Sequence, residues 1–141
     1  MTRARIVCIG NPYQVADWVG PAVFHALRDG PVSPNVDIID GGLLGLNLLP
    51  VFDGVQRLVF VDTLVPATAD PMLGPTVIAD PAGVDGQLFF DHGGGLAYLL
   101  RAAPLVVESM PRVWVVGAAA AADRDVVQPI IAVALELAHG R

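Results

Sequence analysis

Leu58-Val59-Phe60-Val61 is an unbroken apolar run set between Arg57 and Asp62. A strand with one wet face alternates apolar and polar side chains, so a run without alternation marks a central strand covered on both faces. Such strands belong to sheets with helices on either side, and the rest of the chain supplies the helices. Residues 5–9, Arg-Ile-Val-Cys-Ile, form an earlier strand rich in β-branched side chains and ended by Gly10. Val19, Val23 and Leu27, with Phe24 beside them, recur at helical spacing and predict a helix from near Asp17 to Asp29-Gly30-Pro31.

A strand over residues 36–40 follows, stopped by Gly41-Gly42, and then an apolar helical stretch over residues 43–52, interrupted by Gly45. After the central strand, residues 63–74 hold Pro66 and Pro71 and are expected to be loop. Residues 75–80 make a short strand with no helix before it, which predicts antiparallel pairing at an edge. A helix carrying Leu96, Leu99 and Leu100 leads to a strand over residues 112–117, an alanine loop over 118–122 and a helix from about Asp125 to Ala138. This alternation gives an α/β fold of three layers, α/β/α, around a mostly parallel sheet with one antiparallel strand. No repeat, linker or low-complexity tract divides residues 1–141, so one domain is expected.

Composition narrows the function. Fourteen acidic against eight basic residues leave a net charge of −6, and the basic residues are scattered singly. Phosphate binding needs a concentrated basic surface, so a nucleic-acid partner is not expected. The longest apolar stretch, residues 113–122, falls short of the ~20 residues of a membrane helix, and the five apolar residues before Asn11-Pro12 are too few for a secretory leader. A soluble cytoplasmic protein is the expectation. Cys8, the single cysteine, fits a reducing compartment and reads as a small core residue rather than a nucleophile.

In open α/β sheets, ligands sit outside the carboxyl ends of the strands where the winding reverses. Three polar side chains meet that rule. Asp17 follows the first strand, Asp62 ends the central one, and His92 stands before the next helix, with Asp91 beside it. Each also has an ordinary reading: a helix N-cap for Asp17, a turn acceptor for Asp62, a surface loop residue for His92. They become neighbours only if the first and third strands are adjacent. Two carboxylates and an imidazole would suit Zn, Ni, Mn or Cd and leave positions for water or substrate. The chain has no GxSxG elbow, no HExxH helix and no GxxxxGK[ST] phosphate loop. His25 and His139 are assigned no role.

The order Gly10-Asn11, Asp17, Gly20, then Asp40-Gly41-Gly42, Val61-Asp62, and Asp91-His92 with Gly95-Leu96 resembles the hydrogenase maturation endopeptidases. These proteases trim the large subunit of nickel-iron hydrogenases. The resemblance implies a five-stranded twisted sheet between helices, in the phosphorylase/hydrolase-like manner, and metal-ligand roles for Asp17, Asp62 and His92. It further implies that the partner is a hydrogenase large-subunit precursor, that nickel is supplied by that substrate rather than held as a cofactor, and that a C-terminal peptide is released. Zn or Cd could stand in for nickel in crystals. Where the family usually has two acidic residues followed by glycine, this chain has Ala16-Asp17-Trp18, and residues 118–122 fill a loop where many members carry a proline-glutamate pair.

The expected reaction is metal-assisted peptide hydrolysis with catalytic roles for Asp17, Asp62 and His92, and with Asp91 as a candidate base. Two other readings compete. One is a non-catalytic paralogue that holds metal or precursor without cleaving it. The other is a flavodoxin-like nucleotide-binding domain, against which Asp17 argues, because a carboxylate at a helix start repels phosphate.

Overall fold

The computed structural model describes residues 3–31, 33–43, 45–66, 69–79 and 96–140. Five strands form one sheet: β1 (Ala4–Ile9), β2 (Val36–Gly42), β3 (Arg57–Leu64), β4 (Thr76–Ala79) and β5 (Arg112–Ala119). Their spatial order is β2-β1-β3-β5-β4. β1, β2, β3 and β5 run parallel, and β4 pairs antiparallel with β5 at the edge. The chain steps outward from β1 to β2, then crosses back over β1 to β3 and continues the other way to β5. The winding therefore reverses between β1 and β3, the adjacency that the site expectation requires.

The continuous apolar run of β3 is explained by what covers it. Val59 and Val61 pack on one face with Ile6, Cys8 and Val116, beneath α1 (Val19–Arg28) and α3 (Val127–His139). Leu58, Phe60 and Leu64 pack on the other with Val7, Ile9 and Val115, beneath α2 (Leu96–Val106) and a 3-10 helix over Gly45–Phe52. Phe52 and Phe60 meet with ring centroids 5.9 Å apart. Burial of a branched or aromatic side chain of this size contributes on the order of 1.5–3 kcal/mol, and β3 makes that contribution on both sides.

Several boundaries differ from the sequence expectation, and the first is β2, which runs on through Gly41 and Gly42 instead of stopping before them. Residues 63–74 are not all loop: Thr63 and Leu64 continue β3, because they pair with Ala118 and Ala119, which extend β5 into the expected alanine loop. Backbone ladder bonds decide these positions, and alanine propensity does not. The stretch after β2 is a 3-10 helix that begins at Gly45 and holds Pro50 inside it; proline lacks the N–H that a regular α-turn needs there. Helix α1 starts at Val19, after a separate 3-10 turn over Val15–Asp17. Asp17 is therefore not its N-cap; Trp18 holds that position and its side chain makes no capping bond.

At the amino ends of the strands, Arg5 on β1 joins three segments. Its guanidinium donates to the carbonyls of Val51 and Asp53 at 2.6 and 3.0 Å and pairs with Asp37 at 3.3 Å. Arg57 likewise donates to the Leu137 carbonyl at 2.6 Å, in the last turn of α3, where that oxygen also accepts from the Gly140 N–H. No described helix is long and apolar enough to cross a membrane.

Candidate functional site

The loop leaving β1 is built to hold one carboxylate. Asn11 accepts from the Tyr13 N–H through Oδ1 at 2.9 Å, an Asx turn, while the Gln14 N–H donates to the Asn11 carbonyl and the Asp17 N–H to the Gln14 carbonyl. These bonds curl the chain so that the Asn11 N–H donates to Asp17 Oδ2 at 2.8 Å. Asp17 is only 2% exposed, and its Oδ1 is a buried acceptor with no hydrogen-bond partner among the described residues. Leaving a buried polar oxygen unmatched costs about 1–3 kcal/mol, so the atom calls for a partner that the described residues do not supply.

Asp62, also 2% exposed, comes from the neighbouring strand. Its Oδ1 accepts from the Thr63 N–H at 2.8 Å, which is an in-strand bond and not the expected turn. Burial, and then the negative charge of Asp17, push its carboxyl well above the usual carboxylate range, while the Thr63 N–H opposes them. A buried acid whose proton affinity is raised by a second acid is the arrangement a cation relieves, since a positive charge beside it favours its ionised form.

Two close approaches bring these acids together. A Cβ on Gly20 would overlap the Ile9 carbonyl, so only glycine lets the first turn of α1 sit against the end of β1. A Cβ on Gly117 would overlap the Asp62 carbonyl oxygen, so β5 also needs glycine beside the site. Thr63, fully buried, accepts from the Val19 N–H through Oγ1 at 3.1 Å and caps α1 from across the sheet. Trp18 spans the same gap from the other side: its indole N–H donates to the Ala120 carbonyl at 2.9 Å, and the Arg124 guanidinium stacks on its ring at 4.2 Å. The chain's two departures, Trp18 and the alanines after β5, are thus one contact.

Asp17 and Asp62 come together as the switch-point rule expects. His92 and Asp91 lie outside the described residues. Among the described residues no group of three or more His, Cys, Asp and Glu side chains assembles. Cys8 faces the core on β1, and burial drives its thiol far above the usual range, which removes it as a nucleophile. His25 lies on exposed α1 surface and His139 ends α3. Thr63, Gly117 and Arg124 were not visible as site residues in sequence, because each acts through a partner distant in the chain.

No family model matches the sequence, and no curated protein matches it. Solved structures do. The hydrogenase maturating endopeptidase HybD from Escherichia coli superposes with a TM-score of 0.70 at 21% identity, over 96% of this chain and 88% of its own. An endopeptidase from Escherichia coli gives 0.77 at 22% identity, over 96% and 93%. The [NiFe] hydrogenase maturation protease HybD from Thermococcus kodakarensis gives 0.70 at 16%, over 97% and 99%.

This chain has the hydrogenase maturation endopeptidase fold. The likeness covers nearly the whole chain. Here the carboxyl ends of the adjacent strands β1 and β3 lead to Asp17 and Asp62, both buried.

Proposed function

We propose that this protein is a metal-dependent endopeptidase that recognises nickel already seated in the precursor of a nickel-iron hydrogenase large subunit and removes the C-terminal peptide of that precursor, in the cytoplasm. The observation that carries the reading is the buried pair Asp17 and Asp62, with Asp17 Oδ1 left without a partner among the described residues while Oδ2 is held by the Asn11 N–H. Asp17 and Asp62 would hold the ion, with His92 as the third ligand. Nickel arriving with the substrate would supply Lewis acidity to the scissile carbonyl or to a water.

The chain's own groups orient the rest. The Asn11 N–H fixes Asp17 Oδ2 and so turns Oδ1 toward the crevice. The Thr63 N–H does the same for Asp62 Oδ1. Asp62 holds its proton more firmly than an ordinary carboxyl while the site is empty of positive charge, and gives it up when a cation arrives. Asp91 is proposed as the base that takes a proton from the attacking water.

The test is incubation with a nickel-loaded large-subunit precursor and mass spectrometry of the released peptide. Parent protein releases it; Asp62→Ala and His92→Ala do not, yet still unfold cooperatively. Binding of the precursor without release by the parent would leave a non-catalytic binder in place of a protease.

A further inference from the structure

A groove of about 640 Å³ lies between α1 and the loop that carries Asp17. Trp18, Ala22, His25 and Asp29 line its floor, spaced so that one face of the helix is presented along its whole length. From Trp18 to Asp29 the axial rise is about 16 Å, the reach of about five extended residues at ~3.3 Å each. Tyr13 and Val15 form its other wall, and they are 94% and 87% exposed. Two large side chains offered to water on a hydrogen-bonded loop are contact surface without a contact.

The ends of the groove differ in charge. Arg124 stands at the Trp18 end. Its guanidinium carbon lies 4.2 Å from the centre of the indole ring, and the group makes no hydrogen bond or ion pair among the described residues. An exposed guanidinium held by a cation–π contact still has N–H groups to offer a carboxylate. Asp29 stands at the other end, already paired with Arg28 at 3.7 Å.

We propose that this groove binds an extended peptide segment of about five residues that is apolar in the middle and places a carboxylate against Arg124. Charge complementarity selects the occupant: an acidic group meets the unpaired cation, and apolar side chains cover Tyr13, Val15 and Ala22. The owner of the segment is the protein substrate, an attribution that rests on the peptidase reading.

The experiment is a titration of ¹⁵N-labelled protein, free of added metal, with acetyl-Asp-Val-Leu-Val-Asn-amide and with the analogue that has Asn in place of its Asp. Shifts are expected along residues 13–26 and at Arg124, and the acidic peptide binds about fivefold more tightly than the amide. In Arg124→Gln that preference disappears, while Tyr13→Ala weakens both peptides equally, so a change in fold cannot mimic the result. Equal affinity of the two peptides for the parent, shifts elsewhere, or no binding up to about 5 mM would overturn the proposal. Asp62→Asn separates it from the peptidase reading: it is expected to bind the acidic peptide as the parent does while releasing nothing from the precursor. Peptide binding without cleavage by the parent removes the peptidase reading alone, and cleavage without peptide binding removes the groove alone.

Discussion

Asp62 sits among apolar neighbours with a second acid beside it, and only one N–H, that of Thr63, opposes the rise in its proton affinity. In the metal-free protein the consequence for stability has a definite sign. The native carboxyl keeps its proton at pH values where the unfolded carboxyl, with a pKa of about 3.9, has lost it. The associated stability is fully present below that value and is lost as pH rises through the raised native pKa, at no more than about 1.4 kcal/mol per pH unit for one proton. Asp62→Asn keeps the bond to the Thr63 N–H and removes the titration. Urea unfolding of the metal-free variant is therefore expected to show a smaller fall in stability above pH 4, and greater stability than the parent at neutral pH. Thr63 gives a second test at this scale. Thr63→Val strands the buried Val19 N–H and is expected to cost about 1–3 kcal/mol, whereas Thr63→Ser restores the acceptor and recovers most of that loss.

Between elements, the site depends on how closely strand and helix ends can approach. Gly117 faces Asp62 across the β3–β5 ladder, and Gly20 brings α1 against Ile9. Gly117→Ala has nowhere to place its methyl except against the Asp62 carbonyl, so the two strands must part. Thermal unfolding is expected to show a loss of about 1–3 kcal/mol or more, with precursor cleavage falling further than stability does, because the displaced residue is one proposed to hold the ion. A variant with parent stability and parent cleavage would mean that the strands have slack there. The start of α1 shows a related dependence. Trp18 offers no capping side chain and Pro21 sits in the first turn, so the helix takes its cap from Thr63 on β3.

Across the whole molecule, the legible parts are those fixed by burial. The run from Leu58 to Val61 marks a strand covered on both faces because Val59 and Phe60 each have a helix layer to meet. The antiparallel edge strand is legible from the missing helix before it. The ends of β3 and β5 are not legible: Ala118 and Ala119 become strand only because Thr63 and Leu64 pair with them. In the site, Asp17 and Asp62 follow from the topology, since β1 and β3 are neighbours at the reversal of winding. Their support does not, because the Thr63 cap, the Trp18–Ala120 bond and the stacked Arg124 join residues far apart in sequence.

Asp17 and Asp62 are proposed to hold a cation together with His92. Calorimetric titration of Ni(II) and Cd(II) into the parent, Asp17→Asn, Asp62→Asn and His92→Gln proteins tests it directly. The parent is expected to bind one ion, and each aspartate variant to bind at least about tenfold more weakly, a loss of ~1.4 kcal/mol. Parent affinity should fall by up to about tenfold per pH unit below the histidine pKa of ~6.5, a dependence that His92→Gln loses. Equal affinity in all four proteins would contradict the account.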